Sequence, residues 1–185
     1  MKAEIIKGDL FNTDCVVICH QVNCMGVMGS GVAKIVKQRY PKVFEEYKRC
    51  VDNLNHDMLG GCLLVDTCDG KYIANISAQY YYKGCKIDYS HLQNPYNQPS
   101  LSPNPTDEFF SDYTPLRYTN YEAFYTGLTK LLMDMNLNKI KSVAFPYKIG
   151  SDRGGADWNV ILSMINSVFE NTDIVVKVYK LYEWY

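Results

Sequence analysis

Residues 15–19 read Cys-Val-Val-Ile-Cys, five apolar side chains in unbroken succession with no polar residue between them. Successive side chains on a strand point to opposite faces, so a strand of this composition is stable only when both faces are covered. Similar short apolar runs recur at 3–7 (AEIIK), 62–65 (CLLV), 71–76 (KYIANI), 142–145 (SVAF) and 174–179 (IVVKVY). These six segments are candidate strands. Helix-period segments lie between them, and the alternation predicts an α/β fold: a mixed, mostly parallel six-stranded sheet layered between helices.

Four helices are expected. Val32, Ile35, Val36 and Tyr40 form one apolar stripe, and Val43, Tyr47, Val51 and Leu54 form a second that starts just after Pro41, a residue favoured in a helical first turn. Thr119 with Glu122 three residues later has the spacing of a capping box ahead of Phe124, Leu128, Leu131, Leu132 and Met135. Asp157 is the expected cap of a fourth helix carrying Trp158, Ile161, Ile165 and Val168 inward.

The length of 185 residues suits one domain spanning 1–185. With 19 Lys plus Arg against 20 Asp plus Glu, the chain has no basic excess, which argues against binding to a nucleic-acid backbone. No stretch approaches the roughly 20 apolar residues that span a bilayer, and the N-terminus does not read as a secretory signal, so no membrane partner and a cytoplasmic location are expected. Monomeric behaviour is the default expectation. The seven cysteines include no CxxC pair, which suggests buried thiols. Cys19, His20 and Cys24 lie close in sequence but match no common ligand spacing, so no metal site is expected.

One region breaks the pattern. Nine of the sixteen tyrosines fall between Tyr80 and Tyr125, and five of the seven prolines between Pro95 and Pro115. Residues 83–116 therefore read as an insertion within the domain: a long surface loop pinned by aromatics, or a lid over a ligand.

The chemistry is expected in two glycine-bearing segments. The first, HQVNCMGVMGSGVA at 20–33, joins an apolar strand to a helix, as does the second, FPYKIGSDRGGADW at 145–158. Glycines let successive backbone N–H groups converge on an anion, and a helix N-terminus adds its positive dipole end. Two such loops at the same ends of parallel strands would face one another where open α/β sheets place ligands, which suggests a diphosphate. Neither loop has the spacing of a P-loop or a dinucleotide fingerprint.

GDLF at 8–11, HQVNCMGVMGSGVA at 20–33, PYKIGSDRGGADW at 146–158 and VYKL at 178–181, in that order, resemble the macrodomain family. The branch they are most similar to holds single-domain ADP-ribose-1″-phosphate phosphatases and terminal ADP-ribose glycohydrolases. The resemblance implies a three-layer α/β/α fold that binds ADP-ribose or a derivative of it, with no obligatory cofactor. It implies that Asp9 accepts from the adenine amino group with Leu10 beside the ring, and that Asn23 holds the distal ribose, next to His20 and Gln21. Met28, Gly29, Ser30, Gly31 and Val32 then form the first phosphate loop, and Ile149, Gly150, Ser151, Asp152, Arg153 and Gly154 the second. Tyr179 is a strand tyrosine that could line the adenine pocket.

Three positions depart from the family pattern. Where glycohydrolases of this branch carry a lysine and an aspartate, this chain has Ala78 and Gly154, and where another branch carries an aspartate after the glycines it has Ala33. His20 and Asn23 remain as catalytic candidates, because histidine titrates near neutral pH and could protonate a leaving group or orient water. The expected activity is hydrolysis of a 1″-linked group, phosphate or similar, from an ADP-ribose derivative. The alternative is a non-catalytic module that binds or sequesters such a nucleotide.

Overall fold

The computed structural model describes residues 2–82 and 117–181. The insertion expected at 83–116 lies outside the described residues, and with it the question of a lid. Six strands form one sheet: β1 (Glu4–Lys7), β2 (Val17–Asn23), β3 (Cys62–Asp66), β4 (Tyr72–Gln79), β5 (Ser142–Pro146) and β6 (Val175–Lys180). Their order across the sheet is β1-β6-β5-β2-β4-β3. Every neighbouring pair is parallel except β3 with β4, which is antiparallel.

Two layers of helices cover the sheet. Alternate residues of β2 supply opposite cores. Ile18 and Val22 meet Val36 of α1 (Gly31–Arg39) and Val43, Tyr47 and Val51 of α2 (Pro41–Asn53). Val17 and Cys19 meet Phe124, Leu128 and Leu131 of α3 (Tyr121–Leu137) and Ile161 and Ile165 of α4 (Trp158–Phe169). This two-sided burial accounts for the consecutive apolar residues. In the expected helical stripes, Ile35 and Leu54 are instead exposed.

Asp157 caps α4 as expected, its side chain accepting from the Asn159 N–H at 2.7 Å. The cap of α3 differs from expectation. Asn120 takes that place, accepting from the Ala123 N–H at 3.0 Å, because the Thr119 hydroxyl donates to the Gly150 carbonyl at 2.8 Å. Thr119 itself forms an isolated antiparallel bridge with Gln79 at the end of β4.

Candidate functional site

β2 and β5 lie side by side and parallel, with Val17 opposite Val143 and Ile18 opposite Ala144. The chain leaves β2 towards α1 on one face and leaves β5 towards α4 on the other, so a crevice opens between their C-terminal ends, where doubly wound sheets bind ligands. A cleft of about 400 Å³ occupies it. Of the expected first-loop residues, Gly29, Ser30, Gly31 and Val32 line it; from the second loop Ile149, Gly150, Asp152, Arg153 and Gly154 do so. His20, Gln21 and Asn23 line it from β2.

The first loop is held by Asn23, a side chain only 6% exposed. Its Oδ1 accepts from the Met25 N–H at 2.9 Å and the Val27 N–H at 3.3 Å, its Nδ2 donates to the Val27 carbonyl at 2.7 Å, and the Tyr47 hydroxyl donates to its backbone carbonyl at 2.6 Å, lying 3.0 Å from Oδ1. Met28 anchors the loop from below, buried in the core of the α1 and α2 side rather than lining the cleft. The loop then enters α1 through Gly31, whose φ of +55° is in the left-handed region that favours glycine. Ser30 makes no side-chain capping bond, and the opening amides of a helix have no carbonyl of their own, so the N-terminus of α1 presents donors and a positive dipole end at the cleft.

The second loop is buttressed from β2 and from the extended segment just before α3. Gln21 Nε2 donates to Gln79 Oε1 at 2.7 Å and to Thr119 Oγ1 at 2.9 Å. The Gly154 carbonyl accepts from the Tyr118 and Thr119 N–H groups, each at 2.9 Å. Lys148 opens the loop at φ +59°, an uncommon conformation for a side-chain-bearing residue, and Gly150 follows at +72°. Asp152 and Arg153 are both exposed, whereas Ser151 has a buried hydroxyl with no partner among the described residues.

Asp9 and Leu10 are placed apart from the lining of this cleft. Asp9 Oδ1 accepts from the Phe11 N–H at 2.9 Å, capping a single 3-10 turn, and Oδ2 lies 3.8 Å from the Arg39 guanidinium, which stacks over the Phe11 ring. Leu10 is buried in the α1 and α2 core. Tyr179 is half-buried and its ring lies against Gly8.

His20 is 1% exposed, and its Nε2 lies 2.8 Å from Asn75 Oδ1. Burial pushes its pKa down to about 4, so the ring is neutral at pH 7 despite the Asn75 contact, which acts the other way. The thiols nearby are inert for the same reason: burial pushes Cys24 up to about 12 and raises Cys19. Among the described residues no group of three His, Cys, Asp or Glu side chains is arranged to hold a metal ion.

Sequence reasoning passed over Asn75 and Gln79, and read Thr119 only as a helix cap. Asn75 could have been noticed, since a lone amide inside the apolar run 71–76 must find a partner in the core. The position read as the family lysine, Ala78, is fully buried on the α3 side; the next residue, Gln79, is the one that lines the cleft. Ala33 does line it.

No protein-family profile matches the chain. A human protein named ADP-ribose glycohydrolase OARD1 is 28% identical over 179 residues, covering 95% of this chain and 90% of the relative. A protein of Mycobacterium tuberculosis named DNA ADP-ribosyl glycohydrolase is 26% identical over 167 residues, covering 89% of this chain; the match spans 38% of that relative's length. Among solved structures, the macrodomain of Mycobacterium tuberculosis DarG superposes with a TM-score of 0.71 at 24% identity, over 96% of this chain and 97% of that one. The superposition spans nearly the whole of both chains, so the largely parallel sheet with its one antiparallel edge strand and two helical layers has the macrodomain fold.

Proposed function

We propose that this chain binds ADP-ribose or a derivative of it in the cleft between β2 and β5, and hydrolyses a group linked at the 1″ position. The observation that carries the reading is the convergence of two glycine-bearing loops and the uncapped start of α1 on one crevice. Such a site suits a diphosphate, since backbone amides and a helix dipole stabilise negative charge without bringing a titratable cation. The names of the human and mycobacterial relatives support the same ligand class and a hydrolytic reaction on it. In the reaction, water adds to the substrate, the bond to the 1″ substituent breaks, and the products are ADP-ribose and the released group. Catalysis would come mainly from holding the nucleotide in position, with His20 at the floor of the site.

A second reading, a binding module without turnover, is favoured by two specific features. Position 78 is a buried alanine and the neighbouring cleft residue is Gln79, so no lysine stands there, and Gly154 has no space for an aspartate. Incubation of the purified protein with ADP-ribose-1″-phosphate and with an ADP-ribosylated peptide, followed by product chromatography, separates the two. Release of ADP-ribose from either substrate supports hydrolysis and names the leaving group; calorimetric binding of ADP-ribose without product from either supports the binding module; neither binding nor turnover overturns both.

A further inference from the structure

Leu63 of β3, Asn75 of β4 and His20 of β2 stand side by side across three adjacent strands, Leu63 opposite Asn75 and Asn75 opposite His20. Their hydrogen bonds leave no freedom in the placement of protons. Asn75 Nδ2 lies 3.0 Å from the Leu63 carbonyl, which can only accept, so the nitrogen end of the amide belongs there. The other end, Oδ1, therefore faces His20 Nε2 at 2.8 Å. An amide oxygen also only accepts, so Nε2 carries the hydrogen. A neutral imidazole has one N–H, and Nδ1 is left as a lone pair, buried and without a partner among the described residues.

The next residue repeats the situation. Both amide hydrogens of Gln21 are used, one on Gln79 Oε1 and one on Thr119 Oγ1, and its Oε1 is likewise buried without a partner. Thr119 can accept because its own hydrogen goes to the Gly150 carbonyl. Consecutive residues of β2, both lining the cleft, thus hold acceptors whose polarity is set by their neighbours.

We propose that Asn75 is a positioning residue that locks His20 in the Nε2–H tautomer, so that the imidazole meets the ligand only as a hydrogen-bond acceptor through Nδ1. The group received there is a hydroxyl or a water, which can donate, and not an ionised phosphate oxygen, which cannot. The diphosphate is thereby directed to the amides of the loops and the hydroxyl-bearing end of the nucleotide to the strand end. For hydrolysis, His20 orients a water or takes its proton, and does not protonate the leaving group. The ligand half of this proposal rests on the ADP-ribose reading; the tautomer half does not.

The test uses the full chain labelled with ¹⁵N-histidine at pH 7, with the His20 signals assigned by their loss in His20→Gln. Long-range ¹H–¹⁵N spectra of the free protein are expected to show the Nε2–H tautomer; an Nδ1–H ring or an imidazolium overturns the proposal. Added ADP-ribose is expected to shift the Nδ1 resonance while Nε2 stays protonated, and binding that leaves Nδ1 unmoved overturns the acceptor role. Asn75→Leu removes the lock, and about a tenfold loss of affinity is expected together with a mixed tautomer. Asn75→Asp keeps the size but sets a carboxylate beside Nε2, favouring the imidazolium and turning Nδ1 into a donor. Its affinity is expected to fall by a similar factor, and an Asn75→Asp protein with both ring nitrogens protonated and undiminished affinity overturns the proposal even if Asn75→Leu does not fold. Wild-type protein that shows the Nε2–H tautomer but no affinity for ADP-ribose overturns the ADP-ribose reading and leaves the assignment of Asn75 standing.

Discussion

Thr119 Oγ1 occupies the space that any side chain on Gly154 would need: a Cβ built on Gly154 lies 2.1 Å from that oxygen and 2.4 Å from the Gly150 carbonyl. The glycine is therefore the counterpart of the threonine. The Thr119 hydroxyl reaches through the missing side chain to bond Gly150, and the backbone of residues 118 and 119 holds the Gly154 carbonyl. An aspartate at this place could enter only if Thr119 and the loop both moved.

Gly154→Ala is accordingly expected to displace the second loop, at a cost of about 1–3 kcal/mol in stability, with loss of ADP-ribose binding. Urea denaturation and titration calorimetry on the same preparation check both effects. Thr119→Ala in the same chain should not restore binding, because the clash with the Gly150 carbonyl persists.

At Gly31 the obstacle is different, since a Cβ there meets nothing within 4 Å. Gly31→Ala should cost about 1–2 kcal/mol, from the positive φ alone. Gly31→Glu adds a negative group at the helix N-terminus, where the proposed diphosphate sits, and should abolish ADP-ribose binding while circular dichroism stays normal. Unchanged affinity in the glutamate variant would remove the first loop from the site.

Asn23→Ala breaks the three side-chain bonds that hold the first loop and leaves the Val27 and Met25 N–H groups short of partners. The expectation is a loss of about 1–3 kcal/mol in stability together with at least tenfold weaker binding. A variant that binds poorly but melts as wild type would instead show that the amide acts chiefly on the ligand.

Stability should depend on pH through His20. Above its ordinary value of 6.5 the ring is neutral in folded and unfolded chains alike, and it contributes no pH dependence. As pH falls below 6.5 the unfolded chain takes up a proton that the folded ring, with its pKa near 4, refuses, so stability declines. The decline should reach about 3 kcal/mol at pH 4 and then level off. The difference between wild type and His20→Gln in urea titrations from pH 7 to 4 isolates this contribution from that of the carboxylates.

The strands and the helix starts at Pro41 and Asp157 were legible in the residues because burial on both sides of a sheet and helix capping are local demands, written in adjacent side chains. The two strand-to-helix loops were legible for a related reason: glycines between an apolar strand and a helix report a backbone that must turn. What each polar side chain does was decided only when the sheet assembled. Asn23 holds its own loop, Gln79 rather than Ala78 reaches the cleft, and Thr119 gives its hydroxyl to Gly150 and leaves the cap of α3 to Asn120. The polarity of His20 depends on Asn75 and, through it, on a carbonyl of β3, by hydrogen bonds that span 55 and 12 residues of the chain. Local sequence can state that a buried polar atom needs a partner, but strand order and register select which one it meets.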